Sequence, residues 1–262
     1  MGPDAFFEGL DVVGSRRDLV ALGGELEPAT LRAAYRAGCF PWPPSGRDAA
    51  ALERSARRLL RTGAVPALPG PRSSVPWCSP EPRAVLLPDD LRVSRSLRRR
   101  LRDCGWHTTV DAAFGQVVAG CAQARAETWI TGAVQEGYLA LHREGGAHSL
   151  EVWDGEQLVG GLYGVLTGRV FSGESMFHLR TDASKVALVD LVDRMREGGV
   201  VLLDTQQETE HMTSLGQVLV ARHDYVAAVR ALRDRPASLA VDRRPVSRLV
   251  RPPDQHEAAV VG

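Results

Sequence analysis

The stretch from His148 to Asp204 limits the possible folds more than any other part of the chain. HSLEVW (148–153), a DG turn, QLVGGLYGVLTG (157–168) and RVFSGESMF (169–177) predict consecutive antiparallel strands joined by tight turns. ASKVALVDLVDRMREGG (183–199) then places apolar residues at helical spacing and ends on two glycines. VVLLD (200–204) follows, a short apolar run suited to a buried parallel strand. The expected class is α/β (α+β), with a mixed, largely antiparallel sheet.

Elements on either side extend this core. A short helix is expected within 20–42, with Pro28 in its first turn and Gly38 ending it. Residues 43–76 are rich in Pro, Gly, Ser, Ala and Arg and read as an insertion carrying one helix, RDAAALERSARRLLR. RAVLL (83–87) is a strand, Ser94 to Asp103 a basic helix, Asp111 the cap of a helix holding Phe114 and Val117, Thr131 to Arg143 another helix, and 224–234 a final one. This divides the chain into a small N-terminal α/β domain (1–80), a catalytic domain (81–235) and an aperiodic tail (236–262) expected to be largely disordered. Strands, helix, then buried strand is the order of the GNAT acyltransferases. There a loop of the form [RQ]-x-x-G-x-[GA] presents backbone amides at a helix N-terminus to the pyrophosphate of coenzyme A. This chain has FHLRTDAS before the 183–199 helix. A GNAT-like fold with an acyl donor other than a CoA thioester is the reading.

Composition narrows the partners. The chain has 262 residues, enough for one large or two modest domains, and no apolar run approaches the roughly 20 residues of a membrane span. MGPDAFFEGLDVVG lacks the features of a signal peptide, so a cytoplasmic location is expected. Cys39, Cys78, Cys104 and Cys121 form no C-x-x-C pair, and the histidines do not cluster; reduced thiols and no metal site are expected. Net charge is zero, yet RVSRSLRRRLR (92–102) holds six arginines and no acid. Lys185 is the chain's one lysine.

LVALGGELEPATLRAAYRAGCFPW, WCSPEPRAVL, SRSLRRRL, DAAFGQVVAGCA, TWIT, YLALHREGGAHSLEVW, LVGGLYGV, FSGESMF, ASKVAL, LLDTQ and HMTSLG follow one another between residues 19 and 226. In content and order they resemble the bacterial leucyl/phenylalanyl-tRNA–protein transferases. Cys78 stands where that family carries the second tryptophan of WWSP. The resemblance implies aminolysis of an ester. Leu, Phe or Met leaves the 3′ adenosine of its tRNA for the α-amine of a protein with N-terminal Arg or Lys, marking that protein for degradation. No cofactor is implied, and a monomer is expected.

Each step needs particular residues. Phosphate needs cations, and Arg95, Arg98, Arg99 and Arg102 share one face of the predicted basic helix. By resemblance, Lys185 touches phosphate near the acceptor end, and Trp42 and Trp129 offer the surface on which a 3′ adenine stacks. Leu162, Phe171 and Leu203 match the family's donor pocket, and Met195 stands where the family can carry Phe. Glu174, a carboxylate in an otherwise apolar strand, needs a partner: a substrate cation or an internal arginine. Asp204 and Gln206, two apart at a strand end, point to one side. They match the family's pair in which Asp204 polarises the Gln206 amide and Gln206 orients the attacking amine.

Two rivals remain at this level. A CoA-dependent N-acyltransferase of the same fold would need the missing pyrophosphate loop. A non-catalytic tRNA-binding module would have no use for Glu174, Asp204 and Gln206.

Overall fold

The computed structural model describes residues 1–43, 46, 49–69, 75–124 and 128–250. In chain order the elements are α1 (Pro3–Glu8), β1 (Leu19–Gly23), α2 (Pro28–Arg36), β2 (Phe40–Pro41), α3 (Ala49–Arg61), β3 (Ala67–Leu68), β4 (Pro76–Cys78), β5 (Arg83–Leu86), α4 (Arg95–Asp103), β6 (His107–Val110) and α5 (Phe114–Gln123). Then follow α6 (Gly132–Arg143), β7 (Ala147–Asp154), β8 (Gln157–Thr167), β9 (Val170–His178), α7 (Ala183–Gly198), β10 (Leu202–Gln206), α8 (Glu210–Ser214), β11 (Val218–Val220), α9 (Arg222–Leu232) and β12 (Arg244–Pro245). The class is the expected one.

The larger sheet runs β11-β5-β10-β9-β8-β7-β6-β12, and the smaller runs β2-β4-β1-β3. Within the larger sheet the pairing is antiparallel except between β9 and β10. That parallel pair is imposed by α7, which carries the chain from the end of β9 back to the start of β10. Both faces of the sheet are covered, so adjacent residues of a strand enter different cores. Leu202 and Val170 join the cluster built with Phe7, Tyr35, Trp77, Tyr138 and Tyr225, whereas Leu203 and Phe171 join the one built with α7. The N-terminal elements therefore share a core with the large sheet's first face.

Two neighbouring glycines of β8 let the helices come close. A Cβ on Gly160 would meet that of Ala183 in α7 at 2.6 Å, and one on Gly161 would meet Leu150 O at 2.7 Å and Val117 of α5 at 3.1 Å. Successive strand residues face opposite sides, so this pair thins the sheet on both.

Local chemistry sets the helix ends. Ser94 Oγ caps α4 by accepting from Leu97 N–H at 3.2 Å, and Leu97 and Leu101 turn inward. Each buried leucine contributes roughly 1.5–3 kcal/mol. Pro28 opens α2, and Gly38, at φ 80°, follows its C-terminus.

Three expectations need correction. Asp111 does not cap α5, whose N-cap is Ala113. Asp111 follows directly on β6 at φ 61°, and its carboxylate reaches across to β7, accepting from Ser149 N–H at 2.9 Å and pairing with His148 at 2.7 Å. The 43–76 segment supplies β3 and the first residue of β4 to the small sheet as well as α3. Residues 236–250, expected to be disordered, are built into the fold. β12 pairs with β6, Val246 is buried, and the enclosed Arg194 donates to Ala240 O, to Asp242 O at 3.0 Å and to the Asp242 carboxylate. Leu239 and Val246, its core residues, stand seven apart amid charged positions, which is why no hydrophobic period announces the segment. Residues 251–262 of the predicted tail lie outside the described residues.

Candidate active site

The sequence places Glu174 in an alternating strand, and the structure breaks that alternation at this residue. Tyr163 pairs with Ser175 and Gly164 with Gly173, so Glu174 is one extra residue on β9, a bulge. Beside it, Asp204 pairs with Val85 and Gln206 with Ala84, so Thr205 is an extra residue on β10, and Gln206 takes a left-handed φ of 66°. The two irregularities turn Glu174 and Gln206 toward each other. Gln206 Nε2 donates to Glu174 Oε1 at 2.7 Å.

Glu174 accepts two further hydrogen bonds. Tyr35 Oη of α2 donates to Oε1 at 2.6 Å and Tyr138 Oη of α6 to Oε2 at 2.8 Å. Its partners inside the protein are thus two phenols and an amide, not the internal arginine left open by the sequence. Burial pushes its carboxyl up to about 7, against the opposing pull of the two tyrosine hydroxyls.

Asp204 lies deeper and is fully enclosed. Arg83 holds it with two bonds, Nε to Oδ1 at 2.8 Å and Nη2 to Oδ2 at 2.7 Å. Tyr225 Oη donates to Oδ2 at 2.8 Å, Ser172 Oγ to Oδ2 at 3.1 Å and Gln206 N–H to Oδ1 at 3.0 Å. The Arg83 guanidinium lies over the rings of Phe40 and Tyr225. The expected action of Asp204 on the Gln206 amide is not the observed geometry. Asp204 fixes the Gln206 backbone, and Glu174 holds the side-chain amide.

A cavity of about 310 Å³ opens beside this pair. Leu162, Met176, Leu188, Leu191, Leu203 and Met212 give it an apolar wall, Glu174 and Gln206 a polar end, and Trp42 and Trp129 its aromatic part. The two indoles stack with centroids 5.9 Å apart and planes 16° apart, and Trp42 is exposed. Phe171 and Met195, predicted for the pocket, are enclosed in the α7-side core and do not line it. A larger cleft of about 690 Å³, lined by Glu25, Glu27, Glu53 and Glu136, contains none of the predicted site residues; its carboxylates disfavour phosphate.

Four of the five predicted basic residues lie on one helix. Arg95, Arg98, Arg99 and Arg102 are exposed on α4. On the same helix Arg100 pairs with Asp182 at 3.7 Å, and Lys185 pairs with Asp182 at 3.2 Å, which joins α4 to the start of α7. Lys185 itself does not line the cavity.

A family model described as leucyl/phenylalanyl-tRNA protein transferase matches residues 85–230, and one for the N-terminal domain of that protein matches residues 24–49. The leucyl/phenylalanyl-tRNA–protein transferase of Stutzerimonas stutzeri (strain A1501) is 45% identical over 223 residues, covering 84% of this chain and 87% of its own. The chain belongs to the leucyl/phenylalanyl-tRNA–protein transferase family. Other relatives of that name are 42% identical: that of Shewanella piezotolerans, over 82% of each chain, and that of Pseudomonas syringae pv. tomato, over 79% of this chain and 80% of its own.

Several residues of this transferase escaped the sequence reading. Tyr35 and Tyr138 lie in two of the predicted helices; a buried tyrosine needs a partner for its hydroxyl, and that was the available signal. Arg83, Ser172 and Tyr225 left no signal, because each meets Asp204 only through the fold. Among the described residues no group of His, Cys, Asp and Glu is arranged to hold a metal ion, and no helix is long and apolar enough to cross a membrane.

Proposed function

We propose that this transferase moves Leu, Phe or Met from the 3′ adenosine of a charged tRNA to the α-amine of proteins that begin with Arg or Lys, joining them by a peptide bond and creating a degradation signal. The observation that carries the reading is a carboxylate–amide pair, Glu174 and Gln206, in a cavity that has one apolar wall, built by Leu162, Met176, Leu188, Leu191, Leu203 and Met212. One volume thus offers an apolar wall for the donor side chain and an anionic group for the acceptor cation. A wall without polar groups accepts Leu, Phe and Met and penalises polar side chains.

Gln206 commits its amide nitrogen to Glu174, which leaves its amide oxygen to accept from the attacking amine. The free α-amine has an ordinary pKa near 8, so roughly a tenth is neutral at pH 7. The donor ester is already activated, and holding amine and ester together supplies on the order of 7–11 kcal/mol at best. Asp204 acts behind the scene of reaction as a positioning residue for the Gln206 backbone.

The adenine stacks on Trp42 and Trp129, and the acceptor stem lies along Arg95, Arg98, Arg99 and Arg102, with Lys185 between helix and cavity. The protein works as a cytoplasmic monomer, with residues 1–80 as its small domain and a GNAT-like catalytic domain that starts at residue 81 and takes in β12. A CoA-dependent reaction is disfavoured by FHLRTDAS before α7, and simple tRNA binding by the Glu174–Gln206 pair.

The test is transfer of radiolabelled leucine from Leu-tRNA to a peptide beginning with Arg, against a matched peptide beginning with Ala. Transfer to the Arg peptide alone is expected. Equal transfer to both withdraws Glu174 as the acceptor group. Bound tRNA with no transfer to either leaves a binding module.

A further inference from the structure

Three buried side-chain atoms of cavity-lining residues have no hydrogen-bond partner among the described residues: Tyr163 Oη, Thr205 Oγ1 and His211 Nε2. Leaving one such atom unpaired costs about 1–3 kcal/mol. Of the eight such atoms among the described residues, these three belong to residues that line one cavity, where the polar groups of a substrate can meet them.

The three differ in what they can do. The Thr and Tyr hydroxyls do not take up a proton from an amine near neutral pH, whereas an imidazole does. His211 lies on α8, five residues after Gln206, and its helix is fixed at both levels. Thr209 Oγ1 caps α8 by accepting from Met212 N–H at 3.2 Å, and Met212 is buried in the α7-side core. Lys185 on α7 and His178 at the end of β9 are the charged or titratable neighbours that act on the ring. Burial, Lys185 and His178 together hold the imidazole below its ordinary range, so it stands neutral with a nitrogen ready to accept.

We propose that His211 is a catalytic residue of the transfer, taking the proton shed by the attacking amine and delivering it to the departing tRNA. This rests on the reaction assigned above. The amine nitrogen bonds to the ester carbonyl carbon, giving an adduct with a cationic nitrogen and an oxyanion. His211 Nε2 takes the N–H proton. The oxyanion re-forms the carbonyl, the bond to the 3′ oxygen breaks, and that oxygen receives the same proton. Amide, tRNA with a free 3′ hydroxyl and neutral imidazole remain, with no further reactant.

The test is single-turnover transfer of radiolabelled leucine to the Arg peptide by wild-type protein and by His211→Ala, with and without added imidazole, scoring only peptide product. The rate constant at saturation is expected to fall by roughly 10²–10⁴-fold, the usual range for a lost proton-transfer group. KM for both substrates stays close to wild type, and imidazole restores the rate in proportion to its neutral form. No hydrogen bond to the ring nitrogens is lost, so the variant folds as the parent does, and restoration by imidazole reports on chemistry, not shape. An unchanged rate, or a loss that imidazole does not restore, overturns the proposal. If wild-type protein itself transfers nothing, the reaction assignment fails and this proposal with it.

Discussion

Glu174 and Gln206 meet side chain to side chain at 2.7 Å although 32 residues separate them, and each stands where its strand slips register by one residue. The slip frees both groups from the pleat that would bury or expose them with their neighbours. It also commits the Gln206 amide nitrogen, so the chemistry left to each side chain is distinct: a charge on Glu174 and an acceptor oxygen on Gln206.

Replacing that charge separates acceptor binding from tRNA binding. Glu174→Gln keeps the shape and removes the anion. A charge-assisted hydrogen bond contributes about 1.5–3 kcal/mol, so KM for an Arg-initiated peptide should rise roughly 10- to 100-fold. Filter binding should show the tRNA dissociation constant unchanged. A matching loss of tRNA affinity would contradict this assignment.

The carboxyl held at about 7 gives a pH dependence of known sign. It binds its proton more tightly folded than unfolded. Its contribution to stability is therefore full below its ordinary value near 4.5 and declines as pH rises to about 7. Binding of a cation runs the other way, since only the carboxylate attracts it. N-acetyl-argininamide, whose α-amine is blocked, should bind more tightly at pH 8 than at pH 6, and Glu174→Gln should flatten the profile. Calorimetric titration at both pH values decides.

Arg83 and Asp204 form an enclosed ion pair whose single loss should be felt in folding before catalysis. Arg83→Ala leaves the Asp204 charge uncompensated and should cost about 3–5 kcal/mol in urea unfolding. Arg83→Met combined with Asp204→Leu should recover most of that stability without recovering transfer, because the Gln206 backbone N–H loses its anchor. An Arg83→Ala protein as stable as its parent would remove the pair from this account.

On α4, Arg98→Glu with Arg99→Glu should weaken tRNA binding and flatten its dependence on salt. Each lost phosphate contact lowers the slope of log affinity against log salt by about 1. Unchanged binding would take the helix out of the interface.

The sequence made the central elements legible because period and punctuation agree there. Strands β7 to β9, helix α7 and strand β10 lie where alternation, turn residues and the two glycines after Glu197 place them. The short pieces α1, β1, β2, β3, β4, β6, β11, β12 and α8 were missed, being too brief to show a period. The site was legible as types and not as contacts. Glu174, Gln206, Trp42, Trp129, Leu162 and Leu203 line one cavity, but a bulge depends on the partner strand, so the meeting of Glu174 and Gln206 could not be read. Phe171 and Met195 face the same core as the pocket residues and differ from them only in depth, which apolar character does not encode.

The clasp made by residues 239–246 has a consequence for synthesis. Strand β6 and the buried guanidinium of Arg194 find their outer partners in β12, Ala240 and Asp242, all of which are translated after Glu174 and Gln206. Until these residues have been made, β6 has no partner on its outer side and Arg194 lacks its acceptors at Ala240 and Asp242. A ribosome-stalled chain ending before Leu239 would thus present β6 as an unsealed edge, open to protease or chaperone.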